Sequence, residues 1–424
     1  MVLIGFLLAS APAAAIAQTT HPNFPLIAPE DDGIGNAPDF QSPTVAPDGR
    51  VTLRLWAPAV NQAFILIDGL GFLLPEPMQK TSDGLWIYTT PKLAPDIYSY
   101  NFVVGGAQIA DPANTPDPTI IYGPPNLQSQ FVVPGHPPRV WEETNAPHGA
   151  VAHYVYHSQI LGAPEDYYVY TPPGYAPTRA TPYPVLYLLH GLGDSAAGWL
   201  SSGRANLILD NLIATGQATP MIMVMPRSYG IANIAALNTD PSAQALQLRN
   251  FASLLLNEID HRVARDYRIS HNPNQRALAG LSMGGAEALS IGIAHSDIYA
   301  NVASFSAGLP MLDPDFAKAF PAADHPQLTR NLKLLWVSCG TDDPLIDPTH
   351  QLEQWLGHKN IRFSAVETPG GHEWPVWRRN LAQFVQLLFK RSEKTSRSEG
   401  SKPMRRAQHI ALVFTLTWVE KSLQ

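Results

Sequence analysis

The sequence predicts an α/β fold with a mostly parallel sheet, preceded by a small all-β sandwich module. Three observations carry this reading. Between residues 150 and 390, short apolar runs alternate with longer segments of helical spacing, the pattern of strands buried on both faces of a parallel sheet. Between residues 48 and 134 the runs alternate at period two and are separated by regular turn residues, as in an antiparallel sandwich. Stretches rich in proline at 22–47 and 111–147 flank that module.

Composition narrows the class. Of 424 residues, 45% are hydrophobic, enough to bury a large core, while only 15% are charged and 40 are proline. Such a balance suits a loop-rich extracytoplasmic enzyme. The net charge is −7, and because residues 391–424 carry +4, residues 1–390 carry −11. No basic stripe runs through those 390 residues, which argues against a nucleic-acid partner. Cys339 is the lone cysteine, so an internal disulfide and a multi-thiolate zinc site are both excluded.

Residues 1–17 read as a signal peptide: an apolar run, then Ala15-Ile16-Ala17 as the cleavage pattern, with Gln18 as the first mature residue. The run is too short to span a bilayer, and the expected location is secreted or periplasmic. Residues 18–47 read as an N-terminal linker. In the module that follows, strands are expected at Val51–Trp56, Ala63–Ile67, Leu85–Thr90, Tyr98–Val104 and Gln130–Val133, with turns at Pro58, Asp68-Gly69, Asp83-Gly84 and Gly105-Gly106. Trp56 and Trp86 sit on these strands and are expected in the core. Residues 135–149 read as a second linker.

In the 150–390 domain, strands are expected at Val185–Leu189, Met221–Met225, Arg276–Ala279, Leu334–Ser338 and Arg362–Glu367. Helices are expected over 204–215, 244–266, 284–295 and 376–390, the last with Leu381, Phe384, Val385 and Leu388 on one face. The basic tail, 391–424, reads as a disordered extension. Its apolar stretch Ile410–Val419 is too short for a membrane span.

The chemistry centres on Gly280-Leu281-Ser282-Met283-Gly284-Gly285. This Gly-x-Ser-x-Gly follows an apolar strand and opens an Ala-rich helical run. That is the setting of a nucleophile elbow in an α/β-hydrolase fold, where a strained turn lifts the serine hydroxyl above the sheet. A serine hydroxyl needs a base to take its proton, and the base needs an orienting carboxylate. In this fold they follow in the order Ser, acid, His. The strand ending at Gly340 runs into Thr341-Asp342-Asp343, and the next runs into Thr368-Pro369-Gly370-Gly371-His372. Of 14 histidines, His372 sits on a Gly-rich loop between the last strand and the last helix, so it is the expected base. Spacing alone leaves Asp342 and Asp343 equally eligible as the acid. For the oxyanion, the loop His190-Gly191-Leu192-Gly193-Asp194 supplies the Leu192 N–H and the residue after the nucleophile supplies the Met283 N–H. His190 is expected to brace that loop. No His-Glu-x-x-His, calcium loop or Gly-rich nucleotide fingerprint is present, and the reading assigns no metal and no cofactor.

These residues resemble the secreted esterases of carbohydrate esterase family one, which include feruloyl and acetylxylan esterases, with enterochelin esterases as relatives. The resemblance runs through Tyr170–Tyr175, Leu189–Asp194, Gly203–Asn206, Asp210–Ile213, Met225-Pro226, the elbow, Phe305–Gly308, Thr368–Trp374 and Trp377–Asn380. Its Gly-x-x-Asp pattern places the acid on Asp343. Leu55–Ala59 and Ile97–Phe102 resemble the immunoglobulin-like module that precedes many of these esterases and is related to family 48 carbohydrate-binding modules. Asp96 departs from that pattern, standing where glycine is common, and Glu165-Asp166 stands where basic residues are expected.

The resemblance implies a serine carboxylesterase that removes feruloyl or acetyl groups from plant-wall polysaccharide, with catalytic Ser282, Asp343 and His372 and with Leu192 and Met283 at the oxyanion. The implied partner is an acylated poly- or oligosaccharide, with no nucleic acid and no stable membrane insertion. A siderophore or other small-ester hydrolase, or an acyltransferase, would use the same residues. A carbohydrate-binding protein on an inactive hydrolase fold is the reading from another class, and an intact Ser, Asp and His argue against it.

Overall fold

The computed structural model describes residues 38–70, 74–114 and 128–390. The expected signal peptide, most of the 18–47 segment, the prolines of 115–127 and the 391–424 tail lie outside the described residues.

The N-terminal part is built from antiparallel strands in two sheets. One orders Thr44–Val45, Val51–Trp56, Leu85–Thr89 and Gln79–Lys80. The other orders Glu76–Pro77, Ala63–Ile67, Asp96–Val104 and Ala107–Ile109, with Ser129–Val133 also paired to Asp96–Val104. Period-two alternation sends Val51, Leu53 and Leu55 inward from the first sheet to meet Ile65, Ile67, Tyr100 and Phe102 from the second. Trp86 belongs to this core, its indole N–H donating to the Ala57 carbonyl at 3.0 Å. Trp56 is partly exposed beside it. The sheet begins earlier than residue 48, because Thr44 and Val45 pair with Thr52 and Val51.

The second part has eight strands: β1 (Ala150–Ser158), β2 (Ala163–Thr171), β3 (Val185–Leu189), β4 (Ile222–Pro226), β5 (Arg276–Leu281), β6 (Asn301–Phe305), β7 (Leu334–Gly340) and β8 (Ser364–Thr368). Their order is β1-β2-β4-β3-β5-β6-β7-β8, parallel from β4 onward, with β1 and β2 antiparallel at one edge. Five helices of ten residues or more cover it: α1 (Ala205–Ala214), α2 (Pro241–Leu254), α3 (Ser282–Ala294), α4 (Ile346–His358) and α5 (Trp374–Leu387). A π-turn at Leu255–Ile259 carries α2 on into a further helical segment, Asp260–Asp266. Leu186, Leu188, Met223 and Ala279 point to the face covered by α1 and α5. Val185, Tyr187, Val224 and Leu278 point to the face covered by α2, α3 and α4. Both faces being covered is why these strands read as continuous apolar runs.

Segment 135–149 packs onto the sheet's helices. Trp141 is buried in the α1/α5 core, and Asn211 of α1 donates to the carbonyls of Val140 and Glu142 at 2.8 and 2.9 Å.

Candidate active site

The turn between β5 and α3 is tight because two of its positions, 280 and 284, leave no room for a side chain. A Cβ on Gly284 would lie 2.4 Å from the His190 carbonyl oxygen, and one on Gly280 would lie 2.2 Å from the Gly284 oxygen. Ser282 follows directly with φ +51°, a left-handed conformation that a non-glycine residue holds only where its surroundings enforce it. The sequence starts the helix at 284, whereas the structure starts it at Ser282 itself. Ser282 is partly exposed, on the first turn of a helix whose leading N–H groups lack intrahelical acceptors. Gly284→Ala is therefore expected to destabilise the fold by about 1–3 kcal/mol through backbone displacement, read as a lower urea midpoint.

Three side chains meet at this turn. His372 Nε2 lies 2.9 Å from Ser282 Oγ, and His372 Nδ1 lies 2.9 Å from Asp343 Oδ2. His372 comes from the loop between β8 and α5, and Asp343 from the turn after β7, 29 residues earlier. Asp343 is buried, and its other oxygen accepts the Leu345 N–H at 2.9 Å. Burial alone would raise its pKa. The His372 contact, the Ser306 hydroxyl and the Leu345 N–H outweigh burial and hold the carboxyl below its ordinary value. Asp342 is exposed, with its side chain near the Thr341 hydroxyl at 3.3 Å. The choice that spacing leaves open is thus separated by burial: one carboxylate faces the histidine and the other faces water.

The loop after β3 flanks the serine. A Cβ on Gly191 would stand 3.2 Å from Ser282 Cβ, which puts Leu192 next to the turn that carries Ser282. Met283 is the second residue of α3, and its side chain joins Tyr229 and Leu237 in a small apolar cluster. Leu192, Ile231, Ile234 and Met311, all partly buried, pack against that cluster. An apolar wall therefore stands beside the turn that carries Ser282. His190 is wholly inside, its Nδ1 on the Gly191 carbonyl at 2.8 Å and its Nε2 accepting the Ser228 N–H at 3.0 Å. Burial pushes its pKa down to about 4, so the ring is neutral and ties the β3 loop to the loop after β4.

Two groups around the histidine lie in stretches that carry the resemblance but have no role assigned by the sequence. Ser306, at φ +49° after β6, is buried close enough to the Asp343 carboxylate to help lower its pKa. Trp377 stands edge-on to the His372 ring at 5.0 Å and continues through Trp374 to Trp199, whose indole N–H donates to the Leu189 carbonyl at 2.8 Å. The phenylalanine, serine and tryptophan runs carrying them are visible in sequence, but their meeting at one ring depends on the packing of α5.

The profile of the family described as "Putative esterase" matches residues 158–388. An endo-1,4-beta-xylanase/feruloyl esterase of Xylanibacter ruminicola is 27% identical over 361 residues, 84% of this chain and 47% of that protein. The chain spans about half the length of the first curated relatives it matches. Among solved structures, a CE1 ferulic acid esterase of Anaeromyces mucronatus superposes with a TM-score of 0.52 at 23% identity, covering 58% of this chain and 93% of that one. The enterochelin esterase of Shigella flexneri superposes with a TM-score of 0.59 at 18% identity, covering 81% of this chain and 94% of that one. Both likenesses are of fold, an α/β-hydrolase sheet.

Proposed function

The chain belongs to the esterase family, and from that premise we propose that it is a serine carboxylesterase releasing feruloyl or acetyl groups from plant-wall polysaccharide. The hydrogen-bonded series Ser282–His372–Asp343 is the observation that carries the proposal. Ser282 Oγ attacks the ester carbonyl carbon while His372 Nε2 takes its proton. Asp343 accepts the Nδ1–H and stabilises the imidazolium. The N–H groups of Leu192 and Met283 receive the charge that develops on the carbonyl oxygen. The tetrahedral intermediate collapses, the sugar oxygen leaves with the proton from His372, and an acyl-serine remains. Water repeats the sequence with His372 as base, releasing the carboxylic acid and restoring Ser282. The apolar wall of Leu192, Ile231, Ile234 and Met311 favours an acyl group with little polarity.

The domain assignment follows the same reading: a sandwich over 48–134, extended to Thr44, and an esterase domain over 150–390. Export to the periplasm or the exterior rests on the apolar run and Ala15-Ile16-Ala17. Among the described residues, no helix is long and apolar enough to cross a membrane.

The purified chain is expected to release ferulate from methyl ferulate and acetate from p-nitrophenyl acetate, measured side by side. Acetate release without ferulate release moves the substrate to acetylated xylan or another short ester. Release of neither overturns the esterase reading.

A further inference from the structure

The all-β module meets the esterase domain beneath the His372 loop, and the contact is charged. Asp96, wholly buried at the start of the strand Asp96–Val104, faces two arginines of α5. Its Oδ1 accepts from Arg378 Nε at 3.2 Å and Nη2 at 2.8 Å, and its Oδ2 accepts from Arg379 Nη2 at 2.7 Å. Arg378, itself buried, also donates to the carbonyls of Ser202 and Ile97. Arg379 donates through Nη1 to the Pro369 carbonyl at 3.3 Å, at the root of the loop that carries His372. One guanidinium thus joins the module's buried carboxylate to the catalytic loop.

A second contact lies beside the first. A Cβ on Gly69 would stand 2.9 Å from Pro375 Cγ, in the first turn of α5, so the module's Asp68-Gly69 turn sits against the residue three beyond His372. Glu373, at the N-cap of α5, does not cap its own helix. Desolvation and the negative charge of the neighbouring Glu373 push the Asp68 carboxyl up to about 6.

A seam that only tethered two domains would be served by apolar contact, because every buried charge must be paired to offset its lost hydration. What this seam adds is direction: it fixes α5 and the Pro369 carbonyl on both sides of His372. We propose that Asp96, acting through Arg379 and Arg378, is a positioning residue for His372, so that the all-β module is a working part of the active site. The proposal rests on the esterase reading. A base displaced by about 1 Å from its nucleophile loses on the order of a hundredfold in rate, and such displacement is what the seam prevents.

The test uses the full chain with Arg379→Gln and Asp96→Asn. Arg379 is partly exposed, so its variant is expected to fold even where Asp96→Asn, which strands a buried Arg378, does not. Turnover of p-nitrophenyl acetate is measured per active site titrated with a fluorophosphonate, together with the far-downfield proton resonance of the His372–Asp343 hydrogen bond. In Arg379→Gln, kcat is expected to fall about 10- to 100-fold with KM within about twofold, and the resonance to shift or broaden. Arg379→Lys is expected to restore part of the rate, since an ammonium keeps one of the two contacts but not both. Unchanged kcat per titrated site and an unchanged resonance in Arg379→Gln overturn the proposal. If the unmodified chain cleaves no ester yet its resonance moves in Arg379→Gln, the positioning stands and the esterase reading fails.

Discussion

Ser282→Ala is expected to lower kcat by at least about a thousandfold while leaving the fold intact. The oxygen it removes is the atom 2.9 Å from His372 Nε2, and no other described hydroxyl is bonded to that nitrogen. A thousandfold corresponds to about 4 kcal/mol of transition-state stabilisation. Under the proposed mechanism, whatever rate persists is what the N–H groups of Leu192 and Met283 and substrate binding supply on their own. The loss of stability should be small, because the left-handed turn is enforced by the close approach of Gly280, Gly284 and the His190 carbonyl, not by the hydroxyl. Steady-state kinetics on p-nitrophenyl acetate and a thermal melt check both halves. A variant retaining its rate would remove Ser282 from the mechanism, and the apolar wall beside it would lose its meaning as an acyl site.

The legible parts of this molecule are those with strong local signals. The strands Val185–Leu189 and Ala63–Ile67 begin and end where their apolar runs do. The turn that carries Ser282 is marked by glycines whose absence of a side chain is a local requirement. His372 is marked by its position after a strand and before an amphipathic helix. The parts that were not legible depend on distant partners. β1 carries the exposed His153 and the start of β2 the partly exposed Asp166, because the edge of the sheet is only half covered, while Glu165 is buried against Arg227; these polar residues hide the strand pattern. α4 is missed because Pro348, Thr349 and Gly357 dilute its periodicity, although Leu352 and Leu356 are buried. Asp96 is conspicuous in sequence as a departure, and Arg378-Arg379 is conspicuous as part of a resemblance. Nothing local links them, since 282 residues separate Asp96 from Arg378. A salt bridge of that range is a product of the folded chain bringing the strand and α5 together, and local sequence does not announce it.

Asp343→Asn and Asp342→Asn separate the two carboxylates that spacing leaves equal. In the first variant, one side-chain position must still accept the Leu345 N–H, now 2.9 Å from Asp343 Oδ1. The amide oxygen takes that place, which turns the amide NH2 toward His372 Nδ1. The ring then accepts at Nδ1 and carries its proton on Nε2, so the nitrogen facing Ser282 is no longer a base. A loss of about 10³- to 10⁴-fold in kcat is expected. Stability follows with a definite sign. Asp343 titrates below its ordinary 3.8 in the fold, so its contribution is present above that pH and is lost as pH falls through the lower folded value. Asparagine does not titrate, so Asp343→Asn should lose stability near neutrality and flatten the acid limb of the stability curve. Asp342→Asn should do neither, with kcat within about twofold, because its side chain faces solvent. Equal losses in the two variants would mean that the loop, and not a single carboxylate, orients the histidine.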